Sequence, residues 1–235
     1  MIPDGLPEAA SAPSAPAASS VVIFDFDGTL VSRDSVIDFS LRYCARRPAR
    51  FLALAAVLPL AGLMRLRSLR SAASVLLWAM TVGASTRQFV VELRAYARNK
   101  LPDFAHDAIF AELTRHLRAG DRVVIATGTL APLVRGLLGA RSHERLPVVG
   151  SRLRRKCGGL VAETHCVGRV KVRELERRFG IVSWGSVYTD SFSDRSLMSR
   201  ASDITLVSPS PRTLSRTQQL LGDGTALRVL DARPR

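Results

Sequence analysis

The sequence predicts an α/β chain: a doubly wound parallel sheet with a helical unit inserted into it. Four short apolar runs rich in β-branched residues recur at long intervals, at residues 21–24, 123–126, 186–188 and 204–207. None alternates apolar with polar, as expected of strands buried on both faces. Helix-length stretches separate them, for example 105–118 and 170–179, so strand and helix take turns along the chain. Acidic and hydroxyl residues follow the runs directly, which places chemistry at the carboxyl ends of the strands.

Length and composition set outer limits. The 235 residues suit one medium domain or a core carrying an insertion, and 47% hydrophobic with 23% charged residues excludes a wholly disordered chain. Three cysteines far apart exclude a disulfide scaffold. Cys157 and Cys166 lack partners at zinc-ligand spacing and read as buried thiols in a reducing compartment. Lys and Arg number 34 against 20 Asp and Glu, a net charge of +14. Only Lys100, Lys156 and Lys171 are lysines. Such a balance favours an anionic partner: nucleic acid, a membrane or a phosphorylated substrate.

Residues 1–20 are mostly Ala, Pro and Ser, with two acids and no basic start, which reads as a disordered leader and not as a secretory signal. The first strand follows at 21–24. The interval 31–121 is too long for one crossover and reads as a helical cap, which leaves 21–30 and 122–215 as the core and 216–235 as a tail. The cap holds residues 51–64 and 71–86, both uncharged, on either side of Arg65, Arg67 and Arg70. Between residues 39 and 91 there is no acid, while eight arginines occur. Pro59 is expected to interrupt the first apolar stretch. After the second strand, Thr127-Gly128-Thr129 reads as a turn before a helix starting near Pro132. Ser151–Lys156 reads as a solvated hairpin tip before Gly158-Gly159.

Three strand ends carry the candidate site: Asp25-Phe26-Asp27-Gly28-Thr29, then Thr127-Gly128-Thr129, then Asp190-Ser191-Phe192-Ser193-Asp194. The residue types suit phosphoryl transfer. Carboxylates from separate strand ends can hold one Mg²⁺, which takes oxygen ligands and usually keeps waters and a substrate phosphate. An anionic Asp25 can then attack phosphorus, and Asp27 is placed to protonate the leaving oxygen and later activate water. Thr127 and nearby amides can cradle phosphate, and Lys171 can balance its charge. An EF-hand reading of Asp25–Thr29 fails on spacing, because Leu30 and Val36 stand where Gly and Glu are needed.

In order and spacing, these four segments resemble the motifs of the haloacid dehalogenase-like (HAD) phosphatases, from about Val21 to Pro209. The resemblance implies a Rossmann-like core. It also implies Asp25 as nucleophile and Mg²⁺ ligand, and Asp27 as acid/base and ligand through its backbone carbonyl. Thr127, Gly128 and Lys171 would be phosphate-binding, Asp190 a further metal ligand, and Asp194 its support. One departure is Thr189, where many relatives have Gly, and some crowding of the site is expected there.

The long insertion is similar to the cap of the phosphoserine phosphatase-like branch. Residues 76–85 and 166–176 resemble the phosphatidylglycerophosphatase C family, which implies a phospholipid substrate. The cap supports that reading independently, since it offers apolar surface for acyl chains and cations for a headgroup. At 1.5 Å per residue the two uncharged stretches reach roughly 21 and 24 Å, short of roughly 30 Å of hydrocarbon. The expectation is therefore a hairpin dipping into the cytoplasmic leaflet of a bacterial inner membrane, with a short spanning hairpin as the alternative. A soluble cytoplasmic phosphatase for a small metabolite such as phosphoserine is the alternative. Nucleic acid is not expected as a partner, because no recognition motif or aromatic stacking run accompanies the charge.

Overall fold

The computed structural model describes residues 20–222 and 224–232; the leader lies outside them except for Ser20. Strand β1 (Val21–Phe24) is followed by four helices, α1 (Ser35–Ala45), α2 (Pro48–Arg67), α3 (Leu69–Thr81) and α4 (Thr86–Asn99). Next come a 3-10 turn, Leu101–Phe104, and α5 (Asp107–Arg118). The chain continues through β2 (Arg122–Leu130), α6 (Ala131–Ala140), β3 (Val148–Lys156), β4 (Gly159–Thr164) and α7 (Arg169–Phe179). It ends with β5 (Trp184–Thr189), α8 (Arg195–Met198), β6 (Ala201–Val207), α9 (Pro211–Gln218) and β7 (Ala226–Leu230).

The strands form one sheet in the order β4-β3-β2-β1-β5-β6-β7, with only β4 antiparallel to its neighbour. Central β1 pairs with β2 and β5, so all three of its exit loops reach the same rim. Side chains alternate across the pleat. Val22 and Phe24 join one apolar layer with residues of α1, α4, α5 and α6, while Ile23 joins the opposite layer with α7 and α8. Burial on both faces explains why these strands read as continuous apolar runs. The α/β doubly wound architecture is thus as the sequence predicts.

Several details differ from the sequence reading. Strand β3 begins with the buried Val148–Ser151 but ends in Arg152, Arg154, Arg155 and Lys156, paired with β4 at the sheet edge, so its apolar run is too short to show. Strand β7 is an edge strand with mostly exposed or half-exposed residues, and it falls in the stretch expected to be a tail. Helix α5 packs on β2 and supplies Ile109, Phe110 and Leu113 to the core, so the last part of the expected cap interval serves the sheet. Thr127–Thr129 continue β2 and are not a free turn; the pairing with β3 shifts register there. Pro59 lies inside α2 without ending it. Cys157 is exposed at the hairpin tip, not buried as expected.

The cap is held by polar contacts as well as packing. Trp78 Nε1–H donates to the Cys157 carbonyl at 2.9 Å, Thr81 Oγ1 accepts from Leu160 N at 2.8 Å, and Ser74 Oγ accepts from Ala162 N at 3.2 Å. Arg70 donates to the Glu163 carbonyl at 2.6 Å. These bonds tie α3 to the β3–β4 hairpin, and a Cβ on Gly159 would lie 2.6 Å from Trp78 Cδ1.

Candidate active site

Asp25 and Asp27 stand just past β1. The Asp25 amide donates to the Tyr188 carbonyl at 2.9 Å, which fixes the chain at the strand exit. Gly28 then turns with φ +76°, and its N–H donates to the Val31 carbonyl at 2.7 Å. Only glycine adopts that conformation cheaply, and space demands it too. A Cβ on Gly28 would meet the Asp190 carboxyl carbon at 2.4 Å. The ends of β1 and β5 are therefore in direct contact, with the Asp190 carboxylate lying against the Asp25–Gly28 loop.

A buried charge cluster sits beside them. Lys171 projects from the first turn of α7, and its Nζ donates to Asp25 Oδ1 at 2.9 Å and to Asp194 Oδ2 at 2.8 Å. Burial opposes the lysine's charge, but the two carboxylates outweigh it and raise the ammonium's pKa, so it stays protonated. Burial pushes the Asp25 carboxyl well above its usual range; Lys171 pulls it down and Asp194 pushes it further up. Burial also raises Asp190, to about 6. One ammonium thus faces three carboxyl groups, and their full ionisation needs more positive charge than Lys171 provides.

That shortage is the observation against which Mg²⁺ is tested. Among the described residues, no three His, Cys, Asp or Glu side chains are gathered into a ready-made cage. Mg²⁺ does not require one, because it usually takes one or two carboxylates and keeps waters. Asp25 and Asp190, brought together at the ends of β1 and β5, offer carboxylate oxygens of that kind, and these residues fit the ion.

Asp27 is built differently. Its Oδ1 accepts from the Ser35 amide at 3.0 Å, and its Oδ2 accepts a short hydrogen bond from the Thr129 hydroxyl. The Ser35 and Thr129 hydroxyls are themselves 3.1 Å apart. Burial raises the Asp27 pKa, with the Thr129 and Ser35 hydrogen bonds offsetting part of the effect. A carboxyl that keeps its proton longer than usual is suited to general acid work.

Thr127 and Gly128 lie in β2 next to this group. Thr127 Oγ1 accepts from the Thr129 amide at 3.1 Å, leaving its own proton to donate. The Gly128 carbonyl accepts from Ser151 Oγ at 2.6 Å, and a Cβ on Gly128 would come within 3.1 Å of Val167. Thr189 does not crowd the site as expected. It is fully buried, and its hydroxyl donates to Asp194 Oδ2 at 3.0 Å, fixing the carboxylate that holds Lys171.

The structure brings Asp25, Lys171 and Asp194 into hydrogen-bond contact and sets Asp190 against the Gly28 loop. Sequence reasoning gave no role to Ser35, Thr129 and Thr189. Thr129 had a signal in its place two residues after Thr127, whereas Ser35 had none, since it reaches Asp27 only through the fold of the cap entrance.

Comparisons agree with this geometry. The family model described as haloacid dehalogenase-like hydrolase matches residues 22–199. A protein of unknown function from Bordetella pertussis Tohama I has a similar structure, with 17% identity, a TM-score of 0.66, and coverage of 92% of this chain and 100% of its own. A phosphoserine phosphohydrolase-like protein from Francisella tularensis SCHU S4 is 16% identical, with a TM-score of 0.55 over 86% of this chain and 100% of its own. A phosphoserine phosphatase in apo form is 15% identical, with a TM-score of 0.53 over 89% and 93%. From Val22 to Ser199, the strand-end carboxylates, the buried lysine and the matching family model lead to one conclusion: this chain belongs to the haloacid dehalogenase-like hydrolases and is an enzyme built on a phosphatase fold.

Proposed function

We propose that this enzyme hydrolyses phosphomonoesters through an aspartyl-phosphate on Asp25, and that its substrate is an anionic phospholipid, phosphatidylglycerophosphate, which it converts to phosphatidylglycerol. The observation that carries the chemistry is the buried Asp25–Lys171–Asp194 cluster beside Asp27. Asp25 oxygen attacks phosphorus, the ester P–O bond breaks, and the leaving oxygen takes the proton held by Asp27. In the second half, Asp27 accepts a proton from water. The water oxygen attacks phosphorus, the bond to Asp25 breaks, and phosphate leaves. Lys171, the Thr127 hydroxyl and the backbone at Gly128 would hold the phosphoryl oxygens throughout. Mg²⁺ held by Asp25, Asp190 and the Asp27 carbonyl would neutralise charge on the phosphate.

Helix α2 supports the lipid reading. Its 20 residues span about 30 Å, and almost none of the helix is buried. Leu52 is 70% and Leu66 84% exposed, with Phe51, Leu58 and Leu63 also exposed. A core helix would hide such residues. Exposed arginines flank the apolar face at both ends, Arg46 before it and Arg65 and Arg67 after it, and each is worth about 1 kcal/mol near an anionic leaflet. Helix α3 has only 13 residues and is bonded to the hairpin, which argues against a spanning pair. We infer an enzyme lying on the cytoplasmic face of the bacterial inner membrane, with α2 in the interface.

The test is phosphate release from phosphatidylglycerophosphate micelles and from phosphoserine, each with Mg²⁺ and with EDTA. Metal-dependent release that favours the lipid supports the whole proposal. Preference for phosphoserine would leave the phosphatase standing and overturn the lipid substrate.

A further inference from the structure

We infer that the groove between α2, α3 and the β3–β4 hairpin is the binding site for the substrate's hydrocarbon chain, with its cationic rim facing the anionic head. The inference rests on the lipid reading and gives the acyl chain a place on the molecule. The groove encloses about 590 Å³, within the range of small-ligand sites. One wall is Val57, Leu60 and Met64, spaced three and four residues apart on α2 so that they form one stripe. Val75 and Trp78 of α3 form the second wall, and Val161 of β4 lies between them.

The polar residues are arranged for an amphiphile. Arg70, Arg154 and Lys156 line the same groove, and among the described residues no acidic side chain forms an ion pair with any of them. Arg70 is spent on backbone carbonyls of Ala162 and Glu163, which holds β4 in place, while Arg154 and Lys156 keep their charge for a ligand. Apolar walls with unpaired cations and no carboxylate fit an anionic lipid and disfavour a cationic or zwitterionic partner. Trp78, clamped by its bond to Cys157 and by the bare Cα of Gly159, makes that second wall rigid.

The experiment uses the full chain with octyl, decyl and dodecyl phosphate below their micellar concentrations as probes, and 4-nitrophenyl phosphate as a tail-less ester. Tails of that length are needed because β3 runs five residues, about 16 Å, from Ser151 beside Gly128 to Lys156 in the groove. In the wild-type enzyme kcat/KM should rise about fourfold per added methylene while the groove fills. Val161→Trp, which occupies the groove, should flatten that rise and leave 4-nitrophenyl phosphate turnover unchanged. A variant that keeps the wild-type rise overturns the groove. No rise in the wild-type enzyme, with 4-nitrophenyl phosphate still hydrolysed, overturns the lipid reading and the groove together. Should Val161→Trp also lose the tail-less activity, the wild-type protein decides through tryptophan quenching by a nitroxide-labelled alkyl phosphate, which reaches Trp78 in the groove while Trp184 lies buried in the core. Saturable quenching upholds the site, and its absence overturns it.

Discussion

Asp27 takes its chemistry from two neighbours that the chain brings from far apart, Thr129 on β2 and Ser35 at the cap entrance. Both bonds favour the carboxylate against the pull of burial. Thr129→Val should therefore raise the Asp27 pKa, shift upward the alkaline limb of the kcat–pH profile, where Asp27 loses the proton it must donate, and lower kcat by about tenfold, the worth of one charge-assisted hydrogen bond; an unmoved limb would remove Thr129 from this role. Asp190 gives a linked prediction. Its pKa is about 6 in the fold against 3.8 ordinarily, so the metal-free folded protein binds its proton more tightly than the unfolded chain. Stability contributed by that proton is present below pH 4 and is lost as pH rises from about 4 through 6. Asp190→Asn should stabilise the metal-free protein at pH 7 by on the order of 1–2 kcal/mol after discounting for partial solvent exposure. The same change should raise the Mg²⁺ concentration needed for activity. Thermal melts in EDTA and a metal titration check the two halves. Asp25, Lys171, Asp190 and Asp194 were legible because each follows a buried strand or opens a helix, while the Thr189 hydroxyl's service to Asp194 depends on a packing detail that no local pattern encodes.

Secondary elements differ in how plainly the sequence announces them. Strands β1, β2, β5 and β6 are buried on both faces and show as apolar runs. In β3 the buried stretch Val148–Ser151 gives way to an arginine-rich hairpin with β4 whose partner is α3 of the cap, and β7 is a half-exposed edge; in neither does burial run the length of the strand. Helix α2 also misled, since Pro59 was expected to break it. The ring removes one backbone donor on a helix with little packed around it, and the helix continues. The contact of α3 with the hairpin is testable at Gly159, where an added Cβ would meet Trp78 Cδ1 at 2.6 Å and the Trp78 carbonyl at 3.0 Å. Gly159→Val should cost about 1–3 kcal/mol in urea unfolding through overpacking, and an unchanged midpoint would show that the hairpin and α3 are not tightly joined.

Over the whole molecule, charge and apolar surface converge on the cap. The net charge of +14 gives a general pull toward anions, and the exposed leucines of α2 give that pull a face. Replacing Leu52, Leu58 and Leu63 with Ser should weaken binding to anionic phospholipid vesicles by tenfold or more, given roughly 1.5 kcal/mol or more per buried leucine. Hydrolysis of a soluble ester should stay intact in the same protein. Equal loss of both would mean that the substitutions had damaged the fold. Arg70 is left unchanged in such a test because it holds the hairpin. The proposed chemistry depends on Asp25 being the nucleophile, and phosphate release from a soluble phosphomonoester with Mg²⁺ tests this most directly, wild-type beside Asp25→Asn with both folds checked by circular dichroism. Turnover should fall by about 10⁴-fold or more and should vanish in EDTA for the wild-type enzyme. A folded Asp25→Asn protein that keeps wild-type turnover would contradict the mechanism.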